Sequence, residues 1–498
     1  MMLKERHNVG RQKVVALSDK VKEKSYRMIM EKRKLRTVLL ETFIFIVSVF
    51  IIFGREYGNS IEGFQKISAV GVWVLLFQIV VYISYEKTLI TPFFIVLICF
   101  ILFQFGLPIL YALIPDFYNF YVEYLDVNTV VAGAKFSIIA IEAFIIGGIL
   151  GAGRGKGIIN LDKNYLKNER MIQQIAKILF WLTGAIAIPV SFIVLRLSML
   201  YGYQYVKLDT MGLYNGATNF AKTMFVASAF LTIVYSTGRQ KTVYSAILLL
   251  YCALSMASGG RTEGLPVLLA FILMLASKKG KKNNVTKYII IAVVSLVMLY
   301  VLAYLAQTRV GNSYDTKSIL DVVVDVVEEM GFNFTSICFT MKYIPNSTAY
   351  QFGGSYFGSL VCLIPQSLDI TGVVNNIHSM LPEIWLAKQL SVSYGTLFNF
   401  GAGYSVIAES FFNFGWAGII VVGVQGFLIQ KLFALKLQGN SKFAEYIQLV
   451  MVYGLTTYSR RSFYTLEKVI EYDILLVVII IYLGYYIVDR KRGIGNGQ

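Results

Sequence analysis

The sequence predicts an all-α polytopic membrane protein, and three observations predict it. Of 498 residues, 56% are hydrophobic and only 15% are charged, a balance that belongs to membrane chains and not to water-soluble domains. Apolar runs of about 17–25 residues, long enough to cross roughly 30 Å of hydrocarbon at 1.5 Å per residue, recur along the whole chain. Lysines and arginines gather in alternate loops, as they do on the cytoplasmic side of membrane proteins. The net charge of +17 is thus a topology signal, not the footprint of a nucleic-acid binder.

About twelve spans follow from these runs, at 37–53, 67–84, 92–112, 130–150, 174–197, 219–236, 243–258, 264–276, 288–306, 403–434, 443–458 and 471–488. The eighth is short, and the tenth is long enough to be tilted or broken. The basic stretches "GRGKGIINLDKNYLKNER", "GRQK", "KKGKKNNVTK" and "DRKRG" lie on one side with both termini, which are expected in the cytoplasm. Loops of the other parity, such as "PDFYNFYVEYLDVN", are acidic or neutral and rich in tyrosine, as suits an outer interface. The expected organisation is a basic cytoplasmic segment 1–36, membrane helices over 37–306, a large extracytoplasmic loop 307–402, further membrane helices over 403–488, and a cytoplasmic tail 489–498. The N-terminus reads as a retained segment, because no small-x-small cleavage site follows its first apolar stretch. Within it, "VVALSDKVKEKSYRMIMEKRKLR" reads as a positive-inside tail, with a basic amphipathic helix on anionic lipid as the alternative.

Several motifs invite chemistry and are better explained by structure. "GGILGAGRGKG" at 147–157 resembles a phosphate-cradling loop, but no strand precedes it and no Lys-Ser/Thr opens a helix after it. Gly147 and Gly151 read instead as a small-xxx-small helix contact. Cys338 and Cys362 fall outside the spans and could pair, although two cysteines in one loop are thin support for a bridge. The chain has two histidines, His7 and His378, and no Cys/His spacing that would hold a metal. Asp321, Asp325 and Glu328 recur at helical spacing among valines; a solvated face explains them better than a divalent-ion site, which nothing completes.

Charges at the outer helix ends are the candidate functional residues. Arginine costs about 2.5–3.5 kcal/mol at a bilayer centre, so arginines kept at an outer end against the positive-inside trend need a reason. Arg261, in "SGGRTEGLP", Arg309, and Arg460 with Arg461, in "YSRRSFYTLEK", are such residues. Guanidinium matches phosphate oxygens with parallel donors; snorkelling or an ion pair accounts for any single one, but less readily for four together. Glu263 is placed to orient or neutralise Arg261. His378 is the one expected outer-face group that titrates near neutrality. Glu409, with Asn413 four residues on and on the same face, lies two turns into the tenth span, as either a helix–helix contact or a cavity-facing carboxylate. Glu142 and Lys135 also lie inside spans and must face the bundle.

The layout together with "SGGRTEG", "LIPQ" and "SVIAESFFNFGWAG" resembles bacterial oligosaccharide repeat unit polymerases of the Wzy type. The resemblance implies a GT-C-like helical bundle whose large extracytoplasmic loop carries short helices. It implies an enzyme of a bacterial cytoplasmic membrane that joins undecaprenyl-diphosphate-linked repeat units into O-antigen, capsule or exopolysaccharide. A sugar hydroxyl would attack the anomeric carbon of the growing chain and expel undecaprenyl diphosphate, with no metal or other cofactor. A flippase and a chain-length regulator would be partners, alongside membrane lipid; nucleic acid would not. On that chemistry Arg261, Arg309, Arg460 and Arg461 are diphosphate-binding candidates, and His378 first and Glu409 second are candidates for the proton acceptor, with Glu263 and Asn413 in support. A ligase that transfers finished glycan from the same lipid has a similar layout. A lipid-linked oligosaccharide flippase is the transporter alternative, but here the charges gather at outer ends and the longest loop is outside.

Overall fold

A computed structural model of the chain describes residues 31–86, 91–152, 158–160, 166, 168–201, 216–258, 261–277, 318–364, 369–395, 403–434, 436–438 and 441–495. In chain order the helices are α1 (Glu31–Gly54), α2 (Ile61–Glu86), α3 (Pro92–Leu113), the single turn α4 (Phe120–Glu123), α5 (Val127–Gly151), α6 (Glu169–Tyr201), α7 (Gly216–Tyr235), α8 (Gly238–Ala257) and α9 (Arg261–Ser277). There follow α10 (Ile319–Gly331), α11 (Phe334–Tyr343), α12 (Gly354–Val361), α13 (Val373–Ser379), α14 (Pro382–Tyr394), α15 (Val406–Phe414), α16 (Gly418–Ala434) and α17 (Ser441–Tyr458). The last are α18 (Phe463–Val469) and α19 (Val477–Gly495), joined by a π-helical segment Ile470–Leu476. Two three-residue strands, β1 (Ile158–Asn160) and β2 (Lys436–Gln438), pair in parallel with Ile158 opposite Lys436.

The chain is an all-α polytopic membrane protein. Among the described residues eight stretches are long and apolar enough to cross a bilayer: α1, α2, α3, α5, α6, α7, α15 with α16, and α18 through most of α19. Each coincides with an expected span. Helices α8 and α17 occupy the stretches expected at 243–258 and 443–458, α9 contains the short one as Gly264–Leu275, and 288–306 lies outside the described residues.

Local chemistry explains the boundaries. Thr91 caps α3 by accepting from Phe94 N at 3.1 Å, with Pro92 at the first helical position where its missing N–H costs nothing. Asp126 caps α5 and Ser405 caps α15 in the same way. The tenth expected span is indeed broken. Gly415 takes φ +57°, a left-handed conformation that favours glycine, and the turn lets Gly418 close against the Ser410 carbonyl.

Side-chain bonds fix the two ends of the bundle. At one end Lys442 pairs with Glu169 at 2.7 Å, Lys34 donates to the carbonyls of Leu150 and Ala152, and β1 meets β2. Near the far end of α6, Ser198 donates to the Ser258 carbonyl at 3.0 Å. Helix α9 therefore starts at the Ser258 end, and α17, which begins beside Glu169, delivers Ser459–Ser462 to that same end.

The core is built on close backbone approach. A Cβ on Gly147 would collide with the Gly423 carbonyl and one on Gly151 with the Phe427 carbonyl, so α5 and α16 touch through the small-residue face expected of 147–151. Glu142 is fully buried but satisfied: Ser48 donates to Oε2 at 2.5 Å and Gln78 to Oε1 at 2.9 Å. Lys135 lies against the faces of Phe53 and Tyr57, 5.5 and 5.4 Å from their centroids.

Part of the stretch expected as the outer loop packs into the bundle. Helix α11 is buried in the bundle, with Phe334, Ile337, Cys338 and Phe339 at 0% exposure, and a Cβ on Gly133 of α5 would come within 2.7 Å of Cys338 Sγ. Cys338 and Cys362 are both free and buried. In α10, Asp321 forms a capping box with Ser318, and Glu328 accepts from Asn119 at 2.8 Å. No group of three or more His, Cys, Asp or Glu placed to hold a metal occurs among the described residues.

Gly147→Leu should force α5 off α16 and cost about 1–3 kcal/mol or more. Gly54→Leu, with nothing within 4 Å of its added Cβ, should leave the thermal midpoint in detergent nearly unchanged. Equal midpoints for the two variants would refute this account of the α5–α16 contact.

Candidate functional site

The site is organised around the start of α18. A helix N-terminus presents backbone N–H groups without intrahelical partners and a partial positive charge, and Ser462 at the cap makes no side-chain cap bond of its own. Two carboxylates from distant parts of the chain supply the acceptors. Glu383 Oε1 accepts from Ser462 N at 2.8 Å and from Ser462 Oγ at 3.0 Å, and Glu409 Oε2 accepts from Phe463 N at 2.7 Å.

Glu409 is 1% exposed and engaged on both oxygens, because Ser355 Oγ donates to Oε1 at 2.8 Å. Asn413, one turn on, donates to Ser355 Oγ at 2.7 Å and to the Glu409 carbonyl at 2.8 Å, while its Oδ1 accepts from Gly353 N at 2.9 Å. This buried knot ties α12, α15 and α18 together. A dry carboxylate with each oxygen hydrogen-bonded is costly to disturb but stable in place.

Glu383 also faces outward, with Oε2 lying 3.7 Å from Arg461 Nη1. The Arg461 side chain is 46% exposed, and guanidinium carries five donors, more than the one directed at Glu383. Arg460 lies over the Phe103 ring at 6.0 Å, and Gln104 donates to the Ser459 carbonyl, which fixes this turn against α3.

His378 is half-buried on α13, edge-on to Tyr464 of α18 with ring centroids 5.7 Å apart. Lys468 lies over the Tyr464 ring at 5.4 Å and donates to Tyr472 Oη at 3.1 Å and Glu471 Oε2 at 3.3 Å. Burial first, and then the Lys468 charge, hold the His378 imidazole below its usual range, against an opposing pull from Glu383.

The structure thus brings together His378, Glu409, Asn413, Arg460 and Arg461 at the Ser258 end of the bundle. Helix α9 begins there with Arg261; the side chains of Arg261 and Glu263, and the whole of Arg309, lie outside the described residues. Sequence reasoning missed Glu383, Ser355, Tyr464 and Lys468. Glu383 carried one faint signal, a carboxylate just after a proline at a helix start, "LPEIW", but nothing local pointed to Ser462 as its partner.

Glu409→Gln puts an amide N–H₂ among groups that need acceptors, so it should lower stability by about 1–3 kcal/mol, with a smaller loss for Ser355→Ala. Thermal unfolding of the purified variants measures both. An unchanged midpoint in Glu409→Gln would show that the knot carries no stability.

A family model described as O-antigen polysaccharide polymerase Wzy matches residues 37–491 of this chain. No curated protein and no solved structure matches it.

Proposed function

Because the chain belongs to the O-antigen polysaccharide polymerase Wzy family, we propose that it polymerises undecaprenyl-diphosphate-linked oligosaccharide repeat units on the outer face of a bacterial cytoplasmic membrane. The observation that carries the reading at residue level is the clustering of Arg460, Arg461, Lys468 and His378 around one helix start at one end of the bundle. On this reading the Ser258 end faces outward, both termini are cytoplasmic, 307–402 is the extracytoplasmic segment, and the product is O-antigen, capsule or exopolysaccharide.

The chemistry follows from charge. An acceptor sugar hydroxyl attacks the anomeric carbon of the growing chain; a new C–O bond forms, the bond to the diphosphate oxygen breaks, and undecaprenyl diphosphate leaves. Negative charge develops on the leaving group, and preorganised cations at that position lower the barrier. Arg461 and Arg460, with Arg261 and Arg309, are assigned to the diphosphate, and Glu263 to orienting Arg261. The reaction so drawn calls on no metal or other cofactor. The hydroxyl proton goes to His378, whose lowered pKa keeps the imidazole neutral at pH 7. Glu409 ranks second as acceptor; its engaged oxygens favour a positioning role in which, with Asn413, it sets α18 and hence Tyr464 and Lys468 beside His378. A flippase supplying units and a chain-length regulator are the expected partners.

The test is the purified protein with an undecaprenyl-diphosphate repeat unit, with products resolved by size. A ladder of lengthening lipid-linked products is expected, with Arg461→Ala and Arg261→Ala each reducing its formation by on the order of 10²–10³. Translocation of the lipid in liposomes without a ladder would favour a flippase, and single transfer to a final acceptor would favour a ligase.

The pH profile tests His378. Its acceptor form exists above its pKa, so activity should fall as pH drops through a value below the ordinary imidazole range. Lys468→Met removes a charge that disfavours imidazolium, so the acid limb should move to higher pH. An acid limb that stays put in Lys468→Met and survives in His378→Ala would assign the proton elsewhere.

A further inference from the structure

Helix α12 is inside out. Ser355 and Ser359, one turn apart, are 6% and 1% exposed, Ser355 donating to Glu409 and Ser359 to the Tyr356 carbonyl at 2.7 Å. Its outward face carries Phe357 at 73% and Leu360 at 51% exposure, and Ile364, just beyond the helix, continues it at 50%. These positions follow i, i+3, i+7 spacing, which is one face of a helix. In water the arrangement loses twice. Hydroxyls are buried, and three large side chains each forgo about 1.5–3 kcal/mol of burial.

The neighbouring chain behaves alike. Phe352 is 77% exposed although its φ of +47° is a left-handed conformation that a bulky side chain adopts only at a cost. Val373, the first residue of α13, and Met380, just after its end, are 51% and 69% exposed, with Asn375 and Asn376 also outward between them, and Gly358 of α12 closes on Ile377 of α13. No Lys, Arg, Asp or Glu occurs from 352 to 368.

Depth decides what covers this face. Ser355 bonds to Glu409 in the first turn of α15, and Glu409 bonds to Phe463, the first residue of α18. Both helices begin membrane spans. Helix α12 therefore lies level with the ends of two spans, where hydrocarbon gives way to headgroups. We propose that α12 and α13 form an interfacial element whose outward face, Phe357, Leu360, Ile364 and Val373, is embedded among the acyl chains of one leaflet. His378, on α13, is thereby held at headgroup depth. The inference depends on the chain spanning a membrane and not on which reaction it catalyses.

The four native cysteines are buried, so a nitroxide can be placed selectively on Phe357→Cys. In vesicles of phosphatidylethanolamine and phosphatidylglycerol, its accessibility to oxygen and to a water-soluble nickel chelate is compared with two references. Phe77→Cys, exposed at 62% on span α2, reports hydrocarbon, and Asn346→Cys, exposed in the turn after α11, reports water. The label at 357 is expected to follow that at 77, and Leu360→Cys gives an independent second position. A label that follows 346 would place the face in water, and one shielded from both probes would place it against protein; either result overturns the proposal.

Discussion

Two backbone N–H groups, of Ser462 and Phe463, are the constraint on which the Ser258 end of the bundle depends. They begin a helix that runs into the membrane, and at a start packed among other helices, with Ser462 1% exposed, an unpaired donor costs about 1–3 kcal/mol. Their acceptors are Glu383 and Glu409, which arrive from α14 and α15. Glu409 in turn holds Ser355 and shares it with Asn413, and Glu383 faces Arg461. The positions of α12, α14 and the arginine turn are thus set by the need to start one helix. Glu383 offsets the positive helix end and faces Arg461, so that Arg460, Arg461 and Lys468 can gather around it without prohibitive repulsion.

What could be read from the residues depended on range. Gly147 and Gly151 were legible because four-residue spacing on one helix is a local signal, and their close approach to α16 is the geometry that signal implies. The break at Gly415 was legible from the length of its apolar run. Glu409 and Asn413 were legible as a same-face pair, and Asn413 does bond to the Glu409 carbonyl. Their partners were not legible, because Ser355 and Phe463 each lie 54 residues from Glu409, and Glu383 lies 79 from Ser462. Helix α11 escaped for another reason. Ten residues are too few to register as a span, although tertiary packing buries all of them but Met341 and Lys342.

Hydrocarbon reverses the usual sorting of side chains, and that reversal unifies several features. Glu142, Ser48 and Gln78 bond to one another inside the bundle, while Trp73, Phe77 and Phe50 face outward at 64%, 62% and 73% exposure. Lys135 is tolerated because aromatic faces replace part of its hydration. Helix α12 obeys the same rule although it is too short to span anything, which is why polarity, and not length, marks it as a membrane element.

An interfacial site also resolves a conflict over charge. In bulk water, cations at roughly 4 Å from a phosphate gain only about 1 kcal/mol each, while at the bilayer centre the desolvation of arginine outweighs the gain. Between these limits a guanidinium keeps part of its hydration and yet meets an anion through a lower effective dielectric. Arg461 has that intermediate character, half exposed and anchored on one side by Glu383. Lys468 sits between Tyr464, Tyr472 and Glu471, its charge held close to His378 by aromatic rings that bring no countercharge of their own. The cluster is therefore partly solvated and partly paired, Arg461 with Glu383 and Lys468 with Glu471, and a lipid phosphate confined to the headgroup layer would meet it at the depth where its attraction is strongest relative to its cost.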